Sequence, residues 1–257
     1  MGNQGLHVER CGHGPDLVLL HGWGLHGGVW QDLAEALAPR FRLHVPDLPG
    51  HGASASITPY DLDALAAALA QVLPAGAHVC GWSLGGQVAL RLAQHWPGHV
   101  ARLTLIATTP CFRRRPDWPH GMDEASLAEF ARNLEADYEG TLKRFLALTA
   151  RAGEGARGVI ARLRASLFTR GRPVPEALRA GLAILREADM RGELAQVMQP
   201  ALVIHGSHDN VTPPAAGRWL AQHLPDGRLL EVAGAAHAPF LSHRAQVAQA
   251  VEAFSHG

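Results

Sequence analysis

Lysine is almost missing from this chain: Lys143 stands alone among 23 basic residues, and 23 acidic ones bring the formal net charge to zero. A chain with no surplus charge has no general grip on a nucleic-acid backbone or an anionic membrane, so neither partner is expected. Cysteine is scarce too. Cys11, Cys80 and Cys111 are odd in number, widely spaced and form no C-x-x-C pair, which argues against a disulfide framework or a cysteine zinc site and suits a reducing compartment. No run of about 18 apolar residues is present to cross a bilayer, and Met1 to Arg10 lack the basic-then-apolar order of a signal peptide. A cytoplasmic monomer that needs no metal and no cofactor is expected.

What the chain does have is glycine, 28 in 257 residues, and 47% hydrophobic composition, enough to bury the core of one large domain. The stretch Cys80-Gly81-Trp82-Ser83-Leu84-Gly85-Gly86 follows an apolar His78-Val79-Cys80 run and leads into Gln87 to Ala93. Strand, sharp turn and helix with a serine at the apex make a nucleophile elbow, G-x-S-x-G in its structural setting. The turn demands strained dihedrals at Ser83, and Gly81 and Gly85 remove side chains that would collide. Such a serine exposes its Oγ above the sheet and places the Leu84 amide beside any oxyanion that forms.

Around the elbow, strand-like and helical segments alternate. Asp16 to Leu20, Arg42 to Pro46, Ala101 to Ala107, Ala201 to Ile204 and Arg228 to Val232 read as strands. Val29 to Ala38, Leu62 to Leu73 and Ala245 to Phe254 have helical spacing. This predicts a doubly wound, mostly parallel α/β sheet with helices on both faces. From Pro110 to about Arg191 helical periodicity dominates and no good strand run occurs, as in a helical cap inserted into the sheet domain. The expected division is core at 1–111, cap at 112–191 and core again at 192–257.

A serine hydroxyl needs a base to take its proton and a third group to orient that base. After an elbow, acid and histidine should follow in that order, each just past a strand. Asp209, in His205-Gly206-Ser207-His208-Asp209, and His237, in Ala233-Gly234-Ala235-Ala236-His237, occupy those places. With 16 histidines in the chain, chain order and small-residue surroundings select His237; His205, His208 and His243 lack them. A turn or cap role before Thr212-Pro213-Pro214 is the competing reading of Asp209, while Asp47 and His21 read as structural loop residues. His21-Gly22-Trp23-Gly24, after the first long strand, offers the amide of Trp23 as second oxyanion donor. Trp82 is core packing or pocket wall, and elbow geometry favours the wall.

With these residues in place the chain resembles the α/β-hydrolase superfamily along nearly its whole length. More narrowly, it is similar to the BioH family of pimeloyl-[acyl-carrier protein] methyl ester carboxylesterases. The matching runs are Leu19 to Leu25, Asp47-Leu48-Pro49-Gly50, Gly81 to Gly86, Pro110-Cys111-Phe112, Arg144 to Leu148 and Ala235 to Phe240. The resemblance implies an α/β-hydrolase fold with an inserted helical cap and a Ser83, Asp209, His237 triad. It further implies oxyanion amides at Trp23 and Leu84 and substrate contacts at Trp23, Trp82 and Phe145. The activity implied is hydrolysis of a carrier-bound methyl ester in biotin synthesis.

Between Gly140 and Arg172 stand eight basic residues against one acid, Glu154. A solvated arginine face is one reading; a dock for an acidic partner is the other. Family members contact an acyl carrier protein through cap arginines, and the resemblance places Arg144 and Arg157 at such positions. Two other basic family positions fall on Gly140 and Ala161, which leaves Arg162 or Arg164 to substitute. Alternatives are another capped serine hydrolase, such as a short-chain carboxylesterase or a carbon-carbon bond hydrolase, and a non-catalytic ligand-binding hydrolase fold. Acyl-chain preference is left open by the sequence.

Overall fold

The computed structural model of the chain describes residues 5–256. Its first half runs β1 (Val8–Gly12), β2 (Asp16–Leu20), α1 (Gln31–Leu37), β3 (Arg42–Pro46), α2 (Leu62–Ala70), β4 (Ala77–Trp82), α3 (Leu84–His95) and β5 (Val100–Ile106). Four helices follow: α4 (Glu124–Ala136), α5 (Tyr138–Ala150), α6 (Ala156–Ser166) and α7 (Pro175–Glu187). The chain then returns through β6 (Ala201–Gly206), α8 (Pro214–His223), β7 (Gly227–Val232), the short α9 (Pro239–Ser242) and α10 (Arg244–His256).

The strands form a single seven-stranded sheet in the order β1-β3-β2-β4-β5-β6-β7, and every pairing except β1 with β3 is parallel. All six residues of β4 and of β6 are buried. Helices cover both faces of such strands, which is why they read in the sequence as continuous apolar runs rather than alternating ones. The sheet brings the C-terminal ends of β2, β4, β6 and β7 to one edge, where α/β sheets bind their ligands.

Two elements differ from the sequence reading. β1 was not expected, because Glu9 to Gly12 are exposed and carry no apolar run. It exists through its antiparallel ladder with β3 at the sheet edge, which needs backbone groups and no hydrophobic face. α8 was not expected either, since the stretch after Thr212-Pro213-Pro214 was given no helix; Pro214 opens it, where its missing N–H is one of the donors left over at a helix start anyway.

α4 to α7 lie between β5 and β6 in the chain and carry the region expected as a cap. Asp123 caps α4 by accepting from Ser126 N at 2.9 Å, and Asp137 caps α5 by accepting from Gly140 N at 2.9 Å. These acids satisfy amides that lack a partner in the first helical turn, so each helix begins sharply. No helix among the described residues is long and apolar enough to cross a membrane.

Several histidines are built into the interior as neutral rings. His21 accepts from Leu48 N at Nε2 (2.8 Å) and its Nδ1–H donates to Gly22 O (2.9 Å), so both nitrogens are engaged only in the uncharged form. Burial, reinforced by His51, lowers the His21 pKa to about 3; burial lowers His51 to about 4 and His78 to about 3. In the unfolded chain these rings titrate near 6.5. Their folded pKa values are depressed, so their stabilising effect is complete above about pH 6.5 and is lost as pH falls towards about 4, where the unfolded state binds the extra protons. Unfolding free energy from urea titrations should therefore drop on acidification, each ring contributing about 1.4 kcal/mol per pH unit inside that window. A flat profile from pH 6.5 to 4.5 would refute the neutral assignment.

Candidate active site

β4 ends and α3 begins around Ser83, which adopts φ 55 and ψ −118, a left-handed conformation unusual for a residue with a side chain. Neighbouring bonds hold it there: Ser83 N donates to Ile106 O at 3.0 Å, and Ser83 O accepts from Thr108 Oγ1 at 2.6 Å and Gly86 N at 3.0 Å. A Cβ on Gly81 would run into the carbonyl of Gly85, and one on Gly85 into the carbonyl of Leu20. The two glycines are thus required where strand and helix pass closely.

His237 Nε2 lies 3.0 Å from Ser83 Oγ, and His237 Nδ1 lies 2.8 Å from Asp209 Oδ2. Loops after β6 and β7 supply the acid and the imidazole; the acid lies 28 residues from the imidazole in the chain and the imidazole 154 from the serine. The imidazole is held by its backbone as well. His237 N donates to Thr149 O at the end of α5 (2.9 Å), and the Trp82 indole donates to His237 O (2.7 Å). Asp209 Oδ1 accepts from Val211 N (2.8 Å) and Thr212 N (2.9 Å), and Thr212 Oγ1 sits 2.8 Å from Oδ2. Full burial alone would raise the Asp209 pKa, but the facing His237 and then His205 hold it well below the ordinary carboxylate range. An ionised acid, an imidazole and a hydroxyl in this line can generate a serine nucleophile.

Leu84 opens α3, so its amide has no acceptor within the helix and lies at the positive end of the helix dipole. Gly22, next to Trp23, comes so close to the elbow that a Cβ there would be 3.4 Å from Ser83 Cβ. The loop that carries Trp23 therefore passes beside the elbow, and the start of α3 lies on the elbow itself, the two places from which an oxyanion could be approached. The Trp23 side chain faces the cap: its indole donates to Leu178 O of α7 at 2.9 Å and its ring meets Phe145 of α5 edge-on, centroids 5.2 Å apart. Trp82 lies against the His237 ring, centroids 5.7 Å apart, and edge-on to Phe240 at 5.1 Å. Both indole N–H groups are engaged, which leaves only ring faces to meet a ligand. The expectation that Ser83 Oγ stands exposed needs correcting, since Ser83 is 4% exposed and His237 fully buried. The elbow does lift the serine out of the sheet, but the loops after β2 and β7 lie against it, and α5 and α7 pack in turn on Trp23 and the His237 backbone.

A family model described as the alpha/beta hydrolase fold matches residues 15–244. The chain belongs to that family. Among curated relatives this alpha/beta hydrolase is 50% identical over 248 residues to a pimeloyl-[acyl-carrier protein] methyl ester esterase of Nitrosomonas europaea, covering 96% of this chain and 98% of that protein. It is 47% identical over 246 residues to a protein of the same name from Chromobacterium violaceum, covering 96% of each. Among solved structures it superposes on a hydrolase from Pseudomonas aeruginosa with a TM-score of 0.81 at 30% identity, covering 98% of this chain and 94% of the other. A bromoperoxidase from Bacillus anthracis gives a TM-score of 0.90 at 23% identity, covering 98% and 95%, a likeness of fold.

The cap arginines of this alpha/beta hydrolase fall into two groups. Arg162 donates to Leu241 O at 2.7 Å and pairs with Asp32 at 3.4 Å, so it fastens α6 to the core. Those bonds engage Arg162 without burying it, since its side chain remains 48% exposed. Arg170 pairs with Asp47 at 3.3 Å and with Glu9, and Arg172 with Glu139. These acids come from outside residues 140–172, so the charge excess counted along that segment overstates what reaches the surface. Arg157 and Arg164 are exposed on α6 and enter none of the ion pairs among the described residues; Arg144 is 54% exposed and reaches Asp137 only at 3.9 Å. Sequence reasoning passed over Thr212, Thr149 and Leu178. The spacing Asp-x-x-Thr could have flagged Thr212, because an Asx-type turn folds the fourth residue back over the carboxylate. Thr149 and Leu178 contribute carbonyls, which carry no side-chain signal.

Proposed function

We propose that this alpha/beta hydrolase is a serine carboxylesterase that converts pimeloyl-[acyl-carrier protein] methyl ester to pimeloyl-[acyl-carrier protein] and methanol. The observation that carries the reading is the enclosed line Ser83 Oγ, His237 and Asp209 beneath an aromatic cap wall. The names of relatives at 50% and 47% identity over nearly the full chain support the substrate. His237 takes the Ser83 proton as Oγ attacks the ester carbonyl, and the Trp23 and Leu84 amides receive the oxyanion. Collapse of the tetrahedral intermediate breaks the bond to the methoxy group, which leaves as methanol with the proton from His237. Water, deprotonated by the same imidazole, then cleaves the acyl-serine and releases the carboxylate. Trp23, Trp82 and Phe145 offer apolar surface to the methylene chain.

The carrier half of the substrate is assigned to the exposed arginines Arg144 of α5 and Arg157 and Arg164 of α6, whose charge suits an acidic protein. Reversing Arg144 and Arg157 to Glu leaves the serine, base and acid untouched. Hydrolysis of a free short methyl ester should persist, while kcat/KM on the carrier-bound ester falls about tenfold or more, through KM. Wild-type kcat/KM on the carrier-bound ester should also fall with salt, since exposed charges are screened beyond about 10 Å at 0.1 M. Equal losses on both esters would assign the arginines to cap stability. No loss on either would favour a short-chain esterase that does not recognise a carrier.

A further inference from the structure

Asp209 needs more than its partner histidine to stay in line. A carboxylate turns readily about its last torsion, so an acid that orients an imidazole must itself be held at both oxygens. The Val211 and Thr212 amides hold Oδ1. At Oδ2, the His237 Nδ1–H donates at 2.8 Å, and Thr212 Oγ1 sits at the same distance, itself 3.2 Å from His237 Nδ1. The Thr212 hydroxyl has a second acceptor within reach, Ala107 O at 3.1 Å. The carboxylate is nearer and charged, and a charge-assisted bond is the stronger, so the proton goes to Asp209.

Thr212 is itself fixed. Its carbonyl lies 2.7 Å from His205 Nε2, and since a carbonyl only accepts, His205 carries its proton on Nε2. His205 Nδ1 is buried without a partner among the described residues and is backed by α8 at Gly217, where any Cβ would collide with the ring. The imidazole therefore cannot slide away from Thr212. His205 Nε2 is 3.4 Å from Asp209 Oδ2, too long to replace the hydroxyl. We infer that Thr212 is a positioning residue of the acid–base pair, its hydroxyl holding Asp209 Oδ2 in line with His237 Nδ1. The inference rests on the triad reading above and adds to it the group that sets the acid's orientation.

The ionisable groups facing this cluster are His205 from β6, Asp209 from the following loop and His237 from the loop after β7. The residue that follows β5 contributes Ala107 O, the elbow Ser83 Oγ, and α5 Thr149 O to the His237 backbone. Removing the Thr212 hydroxyl leaves the Asp209 charge less dispersed, so it draws the His237 proton more strongly. The imidazolium becomes easier to form, and the acid limb of the kcat/KM profile moves to higher pH.

The test compares Thr212→Val, which keeps the branched shape, with Thr212→Ser, which keeps the hydroxyl, on a free short methyl ester across pH. The valine variant should lose roughly tenfold to a hundredfold in kcat with KM little changed, the scale of one hydrogen bond to a charged group. Its acid limb should rise by about half a unit or more. Serine should restore both. Packing alone predicts the opposite order, with valine benign and serine impaired. That order, or wild-type kcat and acid limb in the valine variant, overturns the inference. Should the valine variant not fold, as judged by thermal unfolding, Thr212→Ala against Thr212→Ser carries the same comparison. Ser83→Ala runs alongside: if it stays active the triad reading itself falls, whereas an inactive Ser83→Ala with an unaffected valine variant removes only the role of Thr212.

Discussion

Ser83→Ala should hydrolyse esters about four to six orders of magnitude more slowly than the wild type, with its fold unchanged. The substitution removes Oγ alone. The bonds that hold the strained turn are made by backbone: Ser83 N to Ile106 O, and Ser83 O from Gly86 N and Thr108 Oγ1. Alanine meets the same left-handed dihedrals with the same Cβ, so the conformational cost is unaltered. Steady-state hydrolysis of a free methyl ester measures the loss, and intact-protein mass spectrometry after rapid quenching should find an acyl adduct on the wild type and none on the variant. Turnover within tenfold of wild type would remove the covalent mechanism. Since serine and histidine act as a unit, adding His237→Ala should cost little more.

Asp209→Asn should lower kcat by about four orders of magnitude, and the reason lies in two backbone amides. Val211 N and Thr212 N both donate to Oδ1, so an asparagine must place its carbonyl oxygen there. Its NH2 then falls at the Oδ2 position, 2.8 Å from His237 Nδ1. A donor at that point makes Nδ1 the acceptor and moves the ring proton to Nε2, the atom that faces Ser83 Oγ. Such an imidazole cannot take the serine proton. The shape of the site is preserved, so the thermal unfolding midpoint should shift little compared with the activity. An asparagine variant that retained more than a tenth of wild-type kcat would mean that Asp209 does not set the tautomer. Asp47 is no substitute: it accepts from Gly27 N and Ala53 N at 2.7 and 3.0 Å and pairs with Arg170, braced within the loops after β2 and β3.

The parts of the fold most legible in the sequence were those whose environment is uniform along the chain. β2, β4 and β6 are buried on nearly every residue, and an apolar run bounded by glycine records that directly. β1 was invisible because an exposed edge strand is specified by its partner's backbone. The elbow was legible for a related reason. A strained serine needs small neighbours at fixed offsets, so a local steric demand appears as a local pattern.

The sequence by itself determined the strand, turn and helix around Ser83, the order in which serine, acid and base occur, and the helical nature of residues 124–187. The first and last follow from propensity, periodicity or short-range sterics, which act over a few residues, and the order from the strand ends that follow an elbow. Only the tertiary structure decided what closes over the serine, which arginines remain free and what orients the acid. Those outcomes depend on groups far apart in the chain that meet in space: Trp23 with Leu178, Arg162 with Asp32 and Leu241, and the His237 amide with Thr149. Three of these bonds use backbone carbonyls as acceptors, and a carbonyl is present at every residue. Side-chain identity cannot mark which one will be used; the packing of cap on core chooses it.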